Sequence, residues 1–253
     1  MLTQTMTHKE MQNEMHSEMQ KEMQKEMQTV TPPPQDRQSQ WWSPSGTAVS
    51  AERGAAPYRR LALQLQHELT AAQSPRSVLL TAPNRSVLAA HASPSLAFCL
   101  AEELGLRVLL IDASGQDREL SRALGCEHRA GYSDLLSQAS QDPAALVLPT
   151  SHPAVHFLPA GTVPAAAMGR HQDAIPVLLS HGLRTHDFLV LSGGSVLHDT
   201  AALAATPHVG TVLLMPVENE TLVADLDAAQ KALRFCKAKH IGVVMVGARG
   251  PVA

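Results

Sequence analysis

From residue 58 onward two apolar patterns alternate along the chain, and this alternation limits the folds that the chain can adopt. Short, nearly continuous apolar runs follow segments whose apolar residues have helical spacing. Strands that are apolar on both faces are typical of a parallel sheet covered by helices on both sides. The pattern therefore predicts a doubly wound, mostly parallel α/β domain. The predicted strands are 77–81, 107–111, 155–158, 188–191, 209–214 and 241–246, and the predicted helices are 94–104, 117–124, 171–181, 199–205 and 219–238.

Residues 1–56 differ in composition, which predicts an N-terminal tail that is disordered or partly helical. Residues 9–28 repeat a four-residue unit in which Met follows Glu, and residues 31–57 have the Pro, Ser and Gln content of a linker. The repeat is either a helix that docks in a groove of a partner or a low-complexity expansion. We predict a tail at 1–56 and one α/β domain at 57–253. Candidate partner-binding residues of the tail are Met15, Met19, Met23, Trp41 and Trp42.

Charge and composition argue against several classes of function. A formal net charge of −3 gives no basic footprint for nucleic acid. No apolar run reaches the ~20 residues that cross a membrane, and the N-terminus is too polar for a secretory signal peptide. We therefore expect a cytoplasmic protein that meets a membrane only through a partner. The 3 cysteines and 13 histidines lack metal-ligand spacing, so we predict no metal site.

The segment 76–98 has the strand, loop and helix layout of a P-loop but lacks its chemistry. It contains no glycine, and the chain has no lysine between residues 26 and 230. A phosphate-binding loop needs glycines so that backbone N–H groups can approach the oxygens. It also needs a lysine for the β- and γ-phosphates and a hydroxyl for Mg²⁺. The segment therefore predicts a P-loop NTPase-like fold whose nucleotide site has lost its main parts.

Four motifs follow one another along the α/β domain. They are VLLIDASGQDRELSRALG at 108–125, GYSDLL at 131–136, FLPAG at 157–161 and HDFLVLSGGSVLHDTAAL at 186–203. In order and spacing they resemble the ATPase domain of bacterial tyrosine kinases (BY-kinases) of capsule and exopolysaccharide export. That family belongs to the MinD-like deviant P-loop ATPases, and the resemblance covers about residues 56–249.

The resemblance implies that most functional positions of the family are replaced. The family's P-loop falls on 81–91, which places Ala89 at its lysine and Ala90 at its Mg²⁺-binding hydroxyl. Asp112 matches the first aspartate of the second motif, Ser114 replaces the second, and Ser192 replaces the metal-linked aspartate of the third. We expect Asp112 to position the loop after its strand. The predicted vestigial nucleotide site consists of Arg85, Ser86, Ala89, Ala90, Asp112, Ser114 and Ser192.

Two further features of the family are missing. The family ends in a tyrosine-rich tail, whereas this chain has only Tyr58 and Tyr132. The family also forms rings through a Glu-x-x-Arg-x-x-Arg helix, whose positions are here Ala56, Arg59 and Ala62. We therefore predict that the chain forms no such ring. In this helix the candidate partner-binding residues are Tyr58, Arg59 and Arg60.

These observations leave three hypotheses for the function. The first is a non-catalytic pseudo-kinase of exopolysaccharide synthesis, with no catalytic residue and no cofactor. It would bind a membrane polysaccharide co-polymerase or a paralogous kinase, and lie at the inner membrane through that partner. The second is an unorthodox tyrosine kinase or ATPase that binds Mg-ATP and uses Arg85, Ser86, His91 and Asp112. The third is a MinD-like accessory of another envelope machine, such as cellulose secretion.

Overall fold

The structure is a computed structural model, and it describes residues 51–84, 86–137, 142–164 and 173–247. These residues form a seven-stranded sheet flanked by helices. Its strands are β1 Ser77–Ala82, β2 Val108–Asp112, β3 Leu148–Pro149, β4 Val155–Leu158, β5 Phe188–Ser195, β6 Thr211–Leu214 and β7 Ile241–Val243. The strand order is β3-β4-β2-β5-β1-β6-β7, and all pairs are parallel except β3 with β4. The predicted fold class is confirmed.

Helices cover both faces of the sheet. They are α1 Ala51–Ala71, α2 Ser86–Leu104, α3 Glu119–Ala123, α4 Tyr132–Ser137, α5 Pro143–Leu146, α6 Ala174–Thr185, α7 Thr200–Ala205 and α8 Val223–Phe235, with a 3-10 turn at Thr206–His208. One core cluster joins α1 and α2 to Leu80 and Leu110, and the other joins α6, α7 and α8 to Leu79 and Leu109. Successive leucines of one strand thus enter opposite cores, as expected for strands with helices on both sides.

The central strands lack any exposed residue, which explains their apolar sequences. Every residue of β1, β2, β5 and β6 is buried. The six predicted strands all exist, although β7 ends at Val243 rather than at residue 246. The short strand β3 and the helices α4 and α5 were not predicted. The start of α5 has a local signal, because Asp142 accepts a hydrogen bond from the N–H of Ala144 at 3.0 Å and proline follows at the first helical position.

Two helices begin earlier than the sequence suggested. The helix predicted at 94–104 begins at Ser86 and includes Pro94, because the alanines before this proline belong to the core. Helix α1 begins at Ala51 and includes Pro57, so the predicted boundary at residue 57 lies within it. The division of the chain into tail and domain stays a prediction. The Met repeat and Trp41-Trp42 lie outside the described residues.

Candidate functional site

The carboxyl ends of the central parallel strands meet at one edge of the sheet, which is where the vestigial nucleotide site was predicted. In the strand register Ser192 of β5 lies opposite Asp112 of β2 on one side and Leu80 of β1 on the other. The fold therefore brings together the positions that correspond to the two carboxylates and the P-loop strand of the similar family. This edge is the candidate site.

Asp112 is fully buried at this edge, and protein donors occupy both of its carboxylate oxygens. Its Oδ1 accepts hydrogen bonds from the backbone N–H and the hydroxyl of Ser114, at 3.1 and 2.6 Å. Its Oδ2 accepts from the backbone N–H and the hydroxyl of Ser121, at 2.8 and 2.7 Å. Burial raises the pKa of Asp112, and these hydrogen bonds act in the opposite direction. Asp112 thus contacts the loop after β2 through both oxygens, in keeping with the expected positioning role, which stays a prediction.

Asp199 was not singled out in the sequence, yet it connects the loop after β2 to the start of α7. Its Oδ2 accepts from the N–H of Gly115 at 2.7 Å, and its Oδ1 caps α7 by accepting from the N–H of Ala201 at 2.9 Å. Asp199 is buried, and it lies directly against Gly194. A Cβ atom at residue 194 would lie 2.2 Å from Oδ2, so only glycine fits there. Gly194, one of the two glycines that depart from the family pattern, is thus required by the packing of this chain.

A third aspartate, Asp134, fixes the loop that follows β4. Its Oδ2 accepts from the N–H groups of Gly131 and Thr162 at 2.9 and 2.8 Å, and its Oδ1 accepts from the Thr162 hydroxyl at 2.7 Å. Burial raises its pKa and the hydrogen bonds lower it, and the net result is a pKa below the ordinary value. Three buried carboxylates therefore bond to loop N–H groups at the candidate site.

The loop after β1 bonds directly to the end of β5. The Ser195 hydroxyl donates to the carbonyl of Pro83 at 2.8 Å, and the N–H of Val196 donates to the carbonyl of Ala82 at 2.9 Å. The Thr81 hydroxyl donates to the carbonyl of Gly194 at 2.5 Å. Each of these contacts joins residues 112–114 positions apart. The start of the P-loop-like segment is thus held by its neighbour in the sheet.

The positions of the P-loop lysine and hydroxyl belong to the hydrophobic core. Ala89 is 0% exposed and Ala90 is 8% exposed, and both belong to the core cluster beneath α1. Ser86 begins α2, but its side chain is outside the described part, and Arg85 is not described. Ser114 follows β2, Ser192 lies within β5, and both are buried beside Asp112. Of the predicted site residues, the structure brings Asp112, Ser114 and Ser192 together, places Ala89 and Ala90 in the core, and shows no positive charge on any of these five.

An open groove of about 600 Å³ lies beside the loop after β2. Two arginines line it, and both already have partners. Arg118 donates to the carbonyl of Val163 at 3.1 Å, and Arg122 pairs with Glu119 at 3.0 Å. The other lining residues are Gly115, Gln116, Glu127, His128 and Pro164. Across the described ranges, no group of three or more His, Cys, Asp or Glu residues could hold a metal ion.

The candidate partner-binding residues of α1 differ in their availability. Arg59 forms an ion pair with Glu103 of α2 at 2.6 Å, so it is not a simply solvated side chain as its sequence context allowed. Arg60 is exposed, whereas Tyr58 packs partly against the core, and burial, followed by the nearby Cys99, raises its pKa. Ala62 is 0% exposed, so the position of the family's last arginine faces the core. No described helix is long and apolar enough to cross a membrane.

Neither protein-family models nor curated proteins match this sequence. Solved structures do match it. The BceF tyrosine kinase domain is 23% identical with a TM-score of 0.65, over 77% of this chain and 78% of that one. The kinase domain of the Escherichia coli tyrosine kinase ETK is 18% identical with a TM-score of 0.64, over 77% and 78%.

A second group of similar structures consists of ATPases related to MinD. The septum site-determining protein MinD of Pyrococcus horikoshii, complexed with Mg-ADP, is 18% identical with a TM-score of 0.52, over 67% of this chain and 69% of that one. At such identities the similarity is one of fold. The chain has the BY-kinase and MinD-like fold, in which a mostly parallel P-loop NTPase-type sheet lies between two layers of helices.

Proposed function

We propose that this chain is a non-catalytic pseudo-kinase of exopolysaccharide synthesis or export, which acts by binding other proteins. Its partner would be a membrane polysaccharide co-polymerase or a paralogous kinase. The fold it shares with bacterial tyrosine kinase domains supports the pathway. The observation that argues most strongly against catalysis is the saturation of Asp112 by four hydrogen bonds from Ser114 and Ser121.

The energetic argument rests on what Mg²⁺ binding would have to break. A carboxylate that ligates Mg²⁺ must direct an oxygen to the ion, and both oxygens of Asp112 already accept from the protein. Hydrogen bonds to charged groups contribute about 1.5–3 kcal/mol each, so freeing one oxygen costs several kcal/mol. Ala89 and Ala90 supply neither the ammonium nor the hydroxyl that would offset this cost.

Binding of Mg-ATP separates the pseudo-kinase from the unorthodox enzyme. We expect no heat from Mg-ATP when the full chain is titrated by calorimetry, and no hydrolysis of ATP. A dissociation constant in the micromolar range would overturn the proposal. In that case Asp112→Asn should abolish binding if the alternative set of Arg85, Ser86, His91 and Asp112 supports catalysis. Binding of ADP without Mg²⁺ and without hydrolysis is compatible with a pseudo-kinase.

The tyrosines of the domain also favour a non-catalytic role. Tyr132 is 0% exposed, and Tyr58 is partly buried against the core. A buried hydroxyl cannot reach the active site of a neighbouring subunit, so the described part of the chain offers little substrate for autophosphorylation. Incubation of the full chain with Mg-ATP should leave both tyrosines unmodified by mass spectrometry.

Partner binding is tested by co-purification with the cytoplasmic segments of a polysaccharide co-polymerase and with a catalytic kinase of the same fold. We place the protein in the cytoplasm, at the inner membrane through this partner. Arg60→Glu should weaken the complex, since Arg60 is exposed on α1 and, unlike Arg59, forms no ion pair with a described residue, whereas the control Arg184→Glu at an exposed position of α6 should not. Light scattering that shows a closed homo-oligomeric ring would contradict the proposed binding mode. Genes for cellulose synthase beside this one would favour the MinD-like accessory instead.

A further inference from the structure

The end of α8 and the loop after it contain every lysine that the chain has beyond residue 25. These lysines are Lys231, Lys237 and Lys239, and Arg234 lies among them. The segment 228–240 contains no acidic residue. A chain with a net charge of −3 therefore concentrates positive charge at one corner of its α/β domain. This corner lies where β7 begins, at the end of the sheet opposite the candidate site.

An aromatic ring protrudes from the middle of this charge. Phe235 is 89% exposed, the largest fraction among the exposed large apolar residues of the described part. The helix itself is well packed, because Ala229 and Leu233 on its other face are both 0% exposed. Phe235 is thus exposed because it lies on the outer face of a helix that is firmly attached to the sheet.

The charges around the ring are free, and the turn that presents them is fixed. Lys231 pairs with Asp227 at 2.7 Å, but Arg234, Lys237 and Lys239 form no ion pair with any described residue. The helix ends in a capped turn in which Lys237 has φ of 59° and donates its N–H to the carbonyl of Arg234. Glycine usually occupies this left-handed position at the end of a helix. Here the residue is a lysine, which adds a positive charge beside Phe235 although its backbone conformation is unfavourable for a residue with a side chain.

We propose that this basic corner, formed by Arg234, Phe235, Lys237 and Lys239, docks on an anionic lipid bilayer. The Phe235 ring enters the boundary between headgroups and acyl chains, and the three cations contact the lipid phosphates. A bilayer fits this geometry because a single protruding ring can insert between lipid molecules, which move apart and need no preformed pocket. An acidic protein would instead have to supply a preformed pocket for the ring.

This membrane contact is separate from the partner binding proposed above. It would give the protein a direct contact with the bilayer in addition to the one through its partner. Because α8 ends at the amino-terminal edge of the sheet, docking would turn the candidate site and its groove away from the lipid. A vesicle assay contains no other protein, so its outcome does not depend on whether the pseudo-kinase hypothesis is correct.

The test is co-sedimentation of the full chain with vesicles of phosphatidylcholine alone or with about 30 mol% phosphatidylglycerol, at about 0.05 and 0.5 M salt. We expect binding to the anionic vesicles only, weakened by salt. Lys237→Gln together with Lys239→Gln should lower the partition coefficient by roughly thirtyfold, and Phe235→Ser by about tenfold. Circular dichroism confirms that each variant is folded.

Matched controls show whether the effect belongs to the corner. Val223→Ser removes another apolar side chain from α8 that is 83% exposed, and Arg184→Gln removes an exposed cation from α6. Both should bind like the unaltered chain. The proposal fails if the chain does not bind anionic vesicles at low salt, if it binds neutral vesicles equally, or if the corner variants bind as well as the controls. It also fails if soluble polyglutamate, and not vesicles, binds in a manner that needs Phe235, since the corner would then accept an acidic protein.

Discussion

Replacing Asp112 by alanine should destabilise the domain strongly, because the carboxylate holds the loop after β2. The substitution removes the acceptor of four hydrogen bonds in a site that is 0% exposed. The hydroxyls of Ser114 and Ser121 can rotate to other acceptors, but their two backbone N–H groups cannot. An unsatisfied buried N–H costs about 1–3 kcal/mol, so two of them predict a loss of about 4 kcal/mol in the free energy of unfolding.

Asparagine at the same position separates the charge from the geometry. Asp112→Asn keeps one oxygen for the Ser114 donors but turns an amide N–H₂ toward the donors of Ser121. The desolvation cost of the charge also disappears, which burial makes appreciable for this group. We therefore expect a smaller loss for asparagine, about 2 kcal/mol.

The assay is urea unfolding of the full chain followed by circular dichroism, with thermal unfolding as a second measurement. A loss of about 4 kcal/mol corresponds to a decrease of about 10 °C in the melting temperature of a domain of this size. Asp117→Ala is the control in the same loop, since Asp117 makes no ion pair in the described part of the chain and should change stability by no more than about 0.5 kcal/mol. A loss below about 1 kcal/mol for Asp112→Ala would refute the structural role, and stabilisation of the unaltered chain by Mg-ATP would point to a ligand role instead.

Three further predictions concern other parts of the chain. Gly194→Ala should cost about 3 kcal/mol in urea unfolding, because its Cβ would lie 2.2 Å from Oδ2 of Asp199, whereas Gly247→Ala should be neutral because its nearest neighbour is 3.9 Å away. Hydrogen bonds from Arg107 lower the pKa of the Asp187 carboxyl to about 2, so its NMR titration should fall below the ordinary 3.8. Its contribution to stability is present above pH ~4 and is lost as the pH falls toward 2. Arg107→Ala should raise this pKa toward its ordinary value. A chain that starts at Ala51 should keep the melting temperature of the full chain but lose the partner in a pull-down; unfolding of this truncation would place part of the tail in the core, and unchanged binding would place the binding surface on the domain.

The architecture could be predicted because its signal is local and repeated. Strands such as β1 and β5 are buried throughout, and their mostly apolar sequences predict this burial on both faces. The short elements α4 and α5 have only 6 and 4 residues, which is too few for a helical period to emerge. Tertiary contacts define α4, in which residues 132–136 are all buried, whereas α5 has no buried residue and begins at the local N-cap of Asp142.

The candidate site could be located from its motifs but not described in detail. The motif alignment placed Asp112 and Ser192 at strand ends, and the register brings them together. The partners that saturate the site could not be predicted, since Gly115 and Asp199 are 84 positions apart and serines such as Ser121 are common in loops. Asp199 alone had a signal, because an aspartate before the helical segment TAALAA is a favoured N-cap.

The burial of Ala89 affects whether nucleotide binding could be restored by one substitution at a time. A lysine installed at this position alone would start from a backbone site whose side chain belongs to the hydrophobic core. Burying an unpaired charge destabilises a protein by several kcal/mol, so this substitution would lower the stability of the domain unless the ammonium reached solvent or a ligand. The hydrogen bonds that join the loop after β1 to the end of β5 would remain as a further constraint on this segment. A lysine at residue 89 alone is therefore expected to lower the stability of the domain rather than to restore nucleotide binding.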